Sequence, residues 1–425
     1  MNSEFQSSRR SFLRRSSAAA AGIALAGAWN ASRMSHAAGG DQLKVALVGC
    51  GGRGTGAAAQ CLEANNNVKL IAVADVFEDK TQKCLTNLRK RKEVVAKLDV
   101  PNDRIFSGFD AYQKAIATDA DVVLLATPPG FRPIHYAAAV AAGKHVFLEK
   151  PVCVDAPGFR SVMASNKLAD EKGLKVSVGL QRRHSKEYLN KIKAIQDGSL
   201  GDVMLLRAYW NSVPIWIRSR QPNQSEMEYQ MRNWYHFVWL CGDHIVEQHV
   251  HNLDVCNWVK GDHPVKANGM GSCHIRDNRG VGQIYDNHFV EFTYKDGTKL
   301  YSQCRQQPNV WNSMTQFVHG TKGQKELPGN GSDGYKQEHV DLINAIRNGE
   351  KLNDGWVAAT STMTGVLGRM ATYSGQEVNW DDAVAYGPDE MPKKFAFDAD
   401  PPAMPDKDGN YPVPVPGVYK PYEKS

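Results

Sequence analysis

Beyond residue 42 the apolar positions gather into short runs separated by stretches with helical spacing. The runs Lys44 to Val48, Val68 to Ala74 and Val122 to Ala126 are almost continuously apolar, as strands covered on both faces are. A helical segment follows Gly54, so the alternation predicts a βαβ series with a parallel sheet. Farther along, strands are predicted at Val203 to Trp210, His288 to Tyr294 and Lys299 to Arg305, with Asp296-Gly297 as the hairpin turn between the last two. Two helices, Tyr335 to Arg347 and Trp356 to Tyr373, close this region. Residues 388–425, rich in Pro, Asp and Lys, read as an irregular arm laid on the body or on a neighbouring subunit.

The start of the chain has a different pattern. Arg9 and Arg10, then Phe12 and Leu13, precede an uncharged Ala-rich run from Ser16 to Trp29, and Ser35-His36-Ala37 offers a small-x-small cleavage site. This resembles a twin-arginine export signal, so residues 1–37 are set aside from the fold. The twin-arginine translocation machinery is then a partner, and the expected location is periplasmic or secreted. The leader holds five Arg and one Glu, so +4 of the formal net charge of +6 leaves with it. A nearly neutral mature chain suggests no nucleic-acid groove, and scattered Lys such as Lys90 and Lys92 read as a solvated helix face. The eight Cys have no tight framework spacing and, in a protein exported already folded, read mostly as buried thiols.

Between the first predicted strand and its helix lies Gly49-Cys50-Gly51-Gly52-Arg53-Gly54. Missing side chains there let backbone N–H groups and a helix N-terminus approach a pyrophosphate. Asp75 ends the next strand, where a carboxylate can accept from the ribose hydroxyls of NAD. It would repel a 2′-phosphate, and no Arg follows it directly in "DVFEDK", so NAD is expected rather than NADP.

The glycine turn, Thr127-Pro128-Pro129, Glu149-Lys150-Pro151, "GSLGDV" and "HNLD" at His251 to Asp254 together resemble the Gfo/Idh/MocA (glucose-fructose oxidoreductase, inositol dehydrogenase, rhizopine catabolism) oxidoreductase family over nearly all of residues 43–375. The resemblance implies an α/β N-terminal Rossmann domain followed by an α+β domain with a mostly antiparallel open sheet. The expected division is 43–175 for the NAD-binding domain, 176–387 for the substrate domain and 388–425 for the arm. A homo-oligomer formed through the C-terminal sheet is expected with it. Gly49, Gly51, Gly52, Arg53, Gly54, Asp75, Thr127, Pro128, Glu149 and Lys150 are then the cofactor-binding set.

Hydride transfer needs a carbinol carbon placed beside the nicotinamide and a base for the hydroxyl proton. By the resemblance, Lys150 holds the nicotinamide ribose and the substrate oxygen, and His251 is the catalytic histidine. Glu247 stands where the family has an Asp, with one extra methylene. "CGDHIVEQHVHNLDV" reads as one helix with Glu247 and His251 at i and i+4 on one face, so that the carboxylate can fix the imidazole tautomer. His249 would point nearly opposite and read as packed. His244, Glu247 and His251 also form an alternative metal set, although hydride transfer from an alcohol to NAD requires none and no metal is expected.

Aromatic density from Tyr209 to Trp239 suits sugar rings, whose C–H faces stack while hydroxyls bond to polar edges. Tyr209, Arg232, Asn233 and Trp234 are the expected substrate wall, joined by Arg183 and His184 of "QRRH". The sequence thus reads as an exported NAD-dependent oxidoreductase acting on a secondary alcohol of a sugar, polyol or glycoside, with retained cofactor. Two alternatives stand beside it: an NAD-dependent glycoside hydrolase or lyase of the same fold, and a non-catalytic carbohydrate-binding protein on a Rossmann scaffold.

Overall fold

The computed structural model describes residues 42–274, 281–327 and 331–422. The export-signal reading of residues 1–37 lies outside the described residues. Helices of ten or more residues are numbered; shorter ones are given by range.

The first domain is built on six parallel strands: β1 (Leu43–Val48), β2 (Val68–Asp75), β3 (Ile105–Ser107), β4 (Val122–Leu125), β5 (His145–Leu148) and β6 (Val176–Val178). Their order is β3-β2-β1-β4-β5-β6, so the chain reverses direction across the sheet between β1 and β4. Such a switch point opens a crevice at the carboxyl ends of the strands. The sheet is flanked by α1 (Gly52–Ala64), α2 (Glu78–Arg89), α3 (Arg132–Ala141) and α4 (Ala156–Glu171). In α1, Ala57, Ala58, Ala59 and Leu62 are buried, and small side chains let the helix lie close to the strands. Asp155 starts α4 by accepting from the Gly158 N–H at 2.8 Å, and Pro157 sits in its first turn, where the missing N–H costs nothing.

The expected boundary at residue 175 needs correction. β6 pairs with β5, so residues 176–178 complete the first sheet and the second domain begins after them. A three-residue strand, "VSV", offers too little periodicity to show this in the sequence. The chain also returns: α7 (Gly334–Asn348) packs on α1 and sends Leu342 and Ile343 into the first domain's core.

The second domain carries α5 (Lys186–Gln196), α6 (Val250–Lys260) and seven strands: β7 (Val203–Ser212), β8 (Pro264–Ser272), β9 (Asn287–Tyr294), β10 (Lys299–Gln306), β11 (Ser313–Gly320), β12 (Gly323–Leu327) and β13 (Val378–Asn379). Their order is β12-β11-β7-β10-β9-β8-β13, and only β7 and β10 run parallel. Gly297, at φ +86°, makes the β9–β10 turn that Asp296-Gly297 predicts. The face bearing Leu206, Ala208, Val290 and Phe292 is buried against the helices, including α8 (Gly355–Ser374). The opposite face carries Tyr209, Phe317, Tyr301, Phe289 and Met270, the last 73% exposed.

The arm lies on its own chain. Glu390 pairs with Arg369 at 3.2 Å, and Phe395 and Phe397 pack against Phe77, Phe109 and Phe131. Tyr411 sits on Phe237, and the Tyr285 hydroxyl donates to the Pro414 carbonyl at 2.8 Å. Among the described residues no helix is long and apolar enough to cross a membrane.

Candidate active site

A cleft of about 780 Å³ opens between the domains at the switch point. The three glycines of its turn do different work. Gly49 has φ +99°, and a Cβ there would lie 2.4 Å from the Thr127 nitrogen. A Cβ on Gly54 would lie 1.8 Å from the Gly49 carbonyl oxygen, so this glycine lets α1 seat against the turn. A Cβ on Gly51 would meet nothing within 4 Å; its backbone faces the open cleft. Gly51 also precedes α1 without a side-chain cap, which leaves the first N–H groups available to an anion.

Asp75 lines the same cleft and accepts from the Cys50 N–H at 2.7 Å and the Phe77 N–H at 3.0 Å. Burial pushes its carboxyl above the ordinary aspartate range, and those two N–H groups oppose the shift. Gly52, Thr127 and Pro128 line the cleft too, while Arg53 reaches across to Glu149 at 2.6 Å. Phe109, Tyr112 and Phe131 make an apolar wall near Asp75. An uncapped helix N-terminus, a bare glycine backbone, a carboxylate and an aromatic slot suit the pyrophosphate, ribose and adenine of NAD.

At the other end, Lys150 follows β5 and its Nζ donates to the Glu247 carbonyl at 2.6 Å and to Glu247 Oε1 at 3.1 Å. Glu247 ends a single turn of helix, His244–Glu247, and His251 lies in the first turn of α6. The one helix read from the sequence is therefore two. At the junction the His249 N–H reaches back five residues to the His244 carbonyl at 3.2 Å, a wider turn than an α-helix makes. Glu247 consequently serves Lys150 rather than holding the imidazole. Burial raises its carboxyl above the usual range while Lys150 pulls the other way.

His251 lines the cleft, stacks on Trp210 with centroids 5.9 Å apart, and has a buried Nδ1 without a hydrogen-bond partner. Burial, with Lys150 and Arg182 nearby, holds its pKa well below that of a free histidine, so the ring is neutral near pH 7. His249 points away and meets Ser302 Oγ at 2.7 Å.

Several expected substrate residues lie elsewhere. Arg183 forks onto Asp254 at 2.8–2.9 Å, stacks over Trp258, and is not part of the cleft wall. His184 meets Asp341 at 2.6 Å and Asp354 at 3.5 Å; burial works against its charge, but these carboxylates lift it to about 10. Gln181 and Arg182 of the same stretch line the cleft instead, because 181–184 form a single 3₁₀ turn. Tyr209 is on the outer face of the second sheet, and strand alternation puts Trp210 inward. Arg232 does line the cleft, but beside Phe77 at 3.9 Å and paired with Asp79, two to four residues after Asp75 and hence at the adenosine end. With Lys80, the last residue of "DVFEDK", and Arg218 it places cations near Asp75, of which Arg218 and Arg232 come from too far along the chain for local sequence to reveal. Asn233 is buried and brackets the Arg218 backbone at 2.8 and 3.1 Å. Trp234 does line the cleft, as do Trp216, Gln248 and Tyr335, of which the last two carried no sequence signal. The metal set His244, Glu247 and His251 is not brought together; His244 groups with Asp243 and His288.

Residues 43–180 match the oxidoreductase family with the NAD-binding Rossmann fold, Gfo/Idh/MocA. Inositol 2-dehydrogenase of Rhizobium meliloti (strain 1021) is 25% identical over 266 residues, 62% of this chain and 69% of its own length. The enzyme of the same name from Klebsiella pneumoniae (strain 342) is 25% identical over 262 residues, 61% of this chain and 66% of its own. The chain thus spans about two thirds of these relatives. Among solved structures, scyllo-inositol dehydrogenase from Lactobacillus casei with bound NAD(H) and scyllo-inositol has a TM-score of 0.63 at 17% identity, covering 80% of this chain and all of that one (100%). GenD2 from gentamicin A biosynthesis, in complex with NAD, has a TM-score of 0.64 at 18% identity over 80% of this chain and 97% of its own. With the glycine turn, Asp75 and the Lys150 side of the cleft arranged as described, residues 43–180 belong to the Gfo/Idh/MocA oxidoreductase family, and the chain is an NAD-binding oxidoreductase of that type.

Proposed function

We propose that this enzyme oxidises a secondary alcohol of a sugar, polyol or glycoside. The observation that carries the reading is that Lys150, Glu247 and His251 face the same cleft as the Gly49–Gly54 turn, together with Trp210, Trp216 and Trp234. Bound NAD would supply the hydride acceptor at its nicotinamide C4. Lys150 holds the substrate oxygen through its ammonium, which Glu247 keeps in place from two oxygens. His251, neutral and desolvated, takes the hydroxyl proton as the carbon gives up its hydride. Tryptophan faces cover the ring's C–H surface and exclude water.

The buried Glu247 carboxyl gives the site a second acid–base group beside Lys150, and this favours one other reading: oxidation, elimination next to the new ketone, and return of the hydride. The leader pattern of residues 1–37 supports export through the twin-arginine route. Replacing both Arg9 and Arg10 by Lys should leave precursor in the cytosol; unimpaired export would remove that part of the proposal. Phe395 and Phe397 of the arm, closing over Phe77, Phe109 and Phe131, support retention of the nucleotide. The apolar outer face of the second sheet supports a homo-oligomer formed there. Substrate is tested with panels of polyols, glycosides and paired sugar donors and acceptors, analysed for products. Oxidised and reduced sugars select the oxidoreductase, and a cleaved glycosidic bond selects the alternative. Binding without turnover on every panel leaves only a carbohydrate-binding role.

A further inference from the structure

Behind the catalytic segment, outside the cleft wall, lies a buried cluster that the hydride chemistry does not use. Asp243 is 0% exposed, His244 1% and His288 3%. One ligand-capable atom from each of the three falls within 4.8 Å of the others. His288 Nε2 stands 3.3 Å from Asp243 Oδ1, without the geometry of a hydrogen bond, and His244 Nδ1 stands 3.8 Å from the same oxygen. Charge-assisted hydrogen bonds from imidazolium to carboxylate are shorter, about 2.7–2.9 Å. Zinc bonds of about 2.0–2.2 Å instead put neighbouring tetrahedral ligands about 3.3–3.6 Å apart, a spacing the Asp243–His288 pair already has and into which His244 would have to draw closer on binding.

The atoms around the cluster are arranged as supports of metal ligands are. Asp243 Oδ2 accepts from the Tyr373 hydroxyl at 2.6 Å and the Tyr285 N–H at 2.9 Å, and Oδ1, which accepts from the His244 backbone N–H, is the oxygen that faces the imidazoles. His288 Nδ1 meets Thr372 Oγ1 at 2.9 Å, fixing which ring nitrogen is turned inward. Asp243 is a non-glycine residue at φ +74°, a conformation that persists only when surroundings enforce it.

We propose that Asp243, His244 and His288 bind one divalent transition-metal ion of the zinc type, with a structural role. The ion ties the start of the His244–Glu247 turn to β9, and so sets the position of Glu247 against Lys150. Held by residues this deeply buried, it is acquired during folding and leaves only on unfolding.

The test is metal analysis of the full chain purified through chelator-washed buffers. About one zinc per chain is expected, retained until the protein is denatured. Cells grown with cobalt in place of zinc should yield protein with the visible ligand-field absorption of four-coordinate Co(II). His288→Gln should lose the ion while His251→Ala keeps it. Should His288→Gln fail to fold, the zinc content and cobalt spectrum of the unaltered protein decide the matter. Metal-free protein from both growth conditions overturns the site. So does metal lost in His251→Ala and kept in His288→Gln, which would place the ion in the catalytic cleft.

Discussion

In the proposed reaction His251 and Lys150 divide the work of an alcohol oxidation because they differ in charge within one cleft. A neutral imidazole can accept a proton only while it remains neutral, and burial beside two cations holds it so. His251→Ala should therefore lower kcat by on the order of 10²- to 10⁴-fold, the usual worth of general-base catalysis, with bound nucleotide unchanged. Lys150→Met should lower it as well, and should also release Glu247, whose buried carboxyl would then lose the cation that opposes its upward shift. Turnover by His251→Ala within a few-fold of the unaltered enzyme would return that histidine to packing. That these two residues share the cleft was legible in "EKP" and "HNLD", whereas their partners were not. Glu247 was expected to hold the imidazole and instead holds the ammonium, because the backbone widens at His249. No one-dimensional pattern reports a five-residue hydrogen bond.

Elements with enough residues to show a period were read correctly: β1, β2, β7, β9, β10, α7 and α8 fall within a residue or two of expectation. Of the shorter pieces β4 was read too, whereas β6 was not. β6 has three residues, so the domain boundary was placed too early. Within β7 the period fixes two faces but not which is inward, and hence Tyr209 was chosen where Trp210 faces the cleft. Arg183 and His184 were chosen over Gln181 and Arg182 for a similar reason, since a 3₁₀ turn has no face that sequence marks. The glycine turn allows a sharper test of element against ligand. Gly51→Ala has φ −68° and no protein neighbour for its methyl group, so its melting temperature should be unaltered while nucleotide is lost. Gly54→Ala forces its methyl group into the Gly49 carbonyl and should lose both nucleotide and about 1–3 kcal/mol of stability. Equal nucleotide content in Gly51→Ala and the parent would show that the turn does not face the cofactor.

At the scale of the whole molecule, buried histidines set the response to pH. Burial pushes His135 and His339 down to about 3, and holds His251 in the same direction. The unfolded chain takes up these protons near pH 6.5, so their stabilising effect is present above that pH and is lost as it falls toward the folded values. His184, raised to about 10, contributes fully below about pH 6.5 and loses its effect between there and about pH 10. Denaturant midpoints should thus peak near neutrality and fall more steeply on the acid side; a midpoint rising steadily from pH 7 to 4 would contradict this. The same compactness encloses the cleft, since the arm from Glu390 to Tyr411 joins Arg369 of α8 to the aromatic wall around Phe77. The most direct test of the account is the nucleotide carried by protein purified without any added. Denatured and analysed by mass, it should release about one NAD per chain, and the same amount after turnover. An empty cleft, or a mainly NADP content, would contradict it.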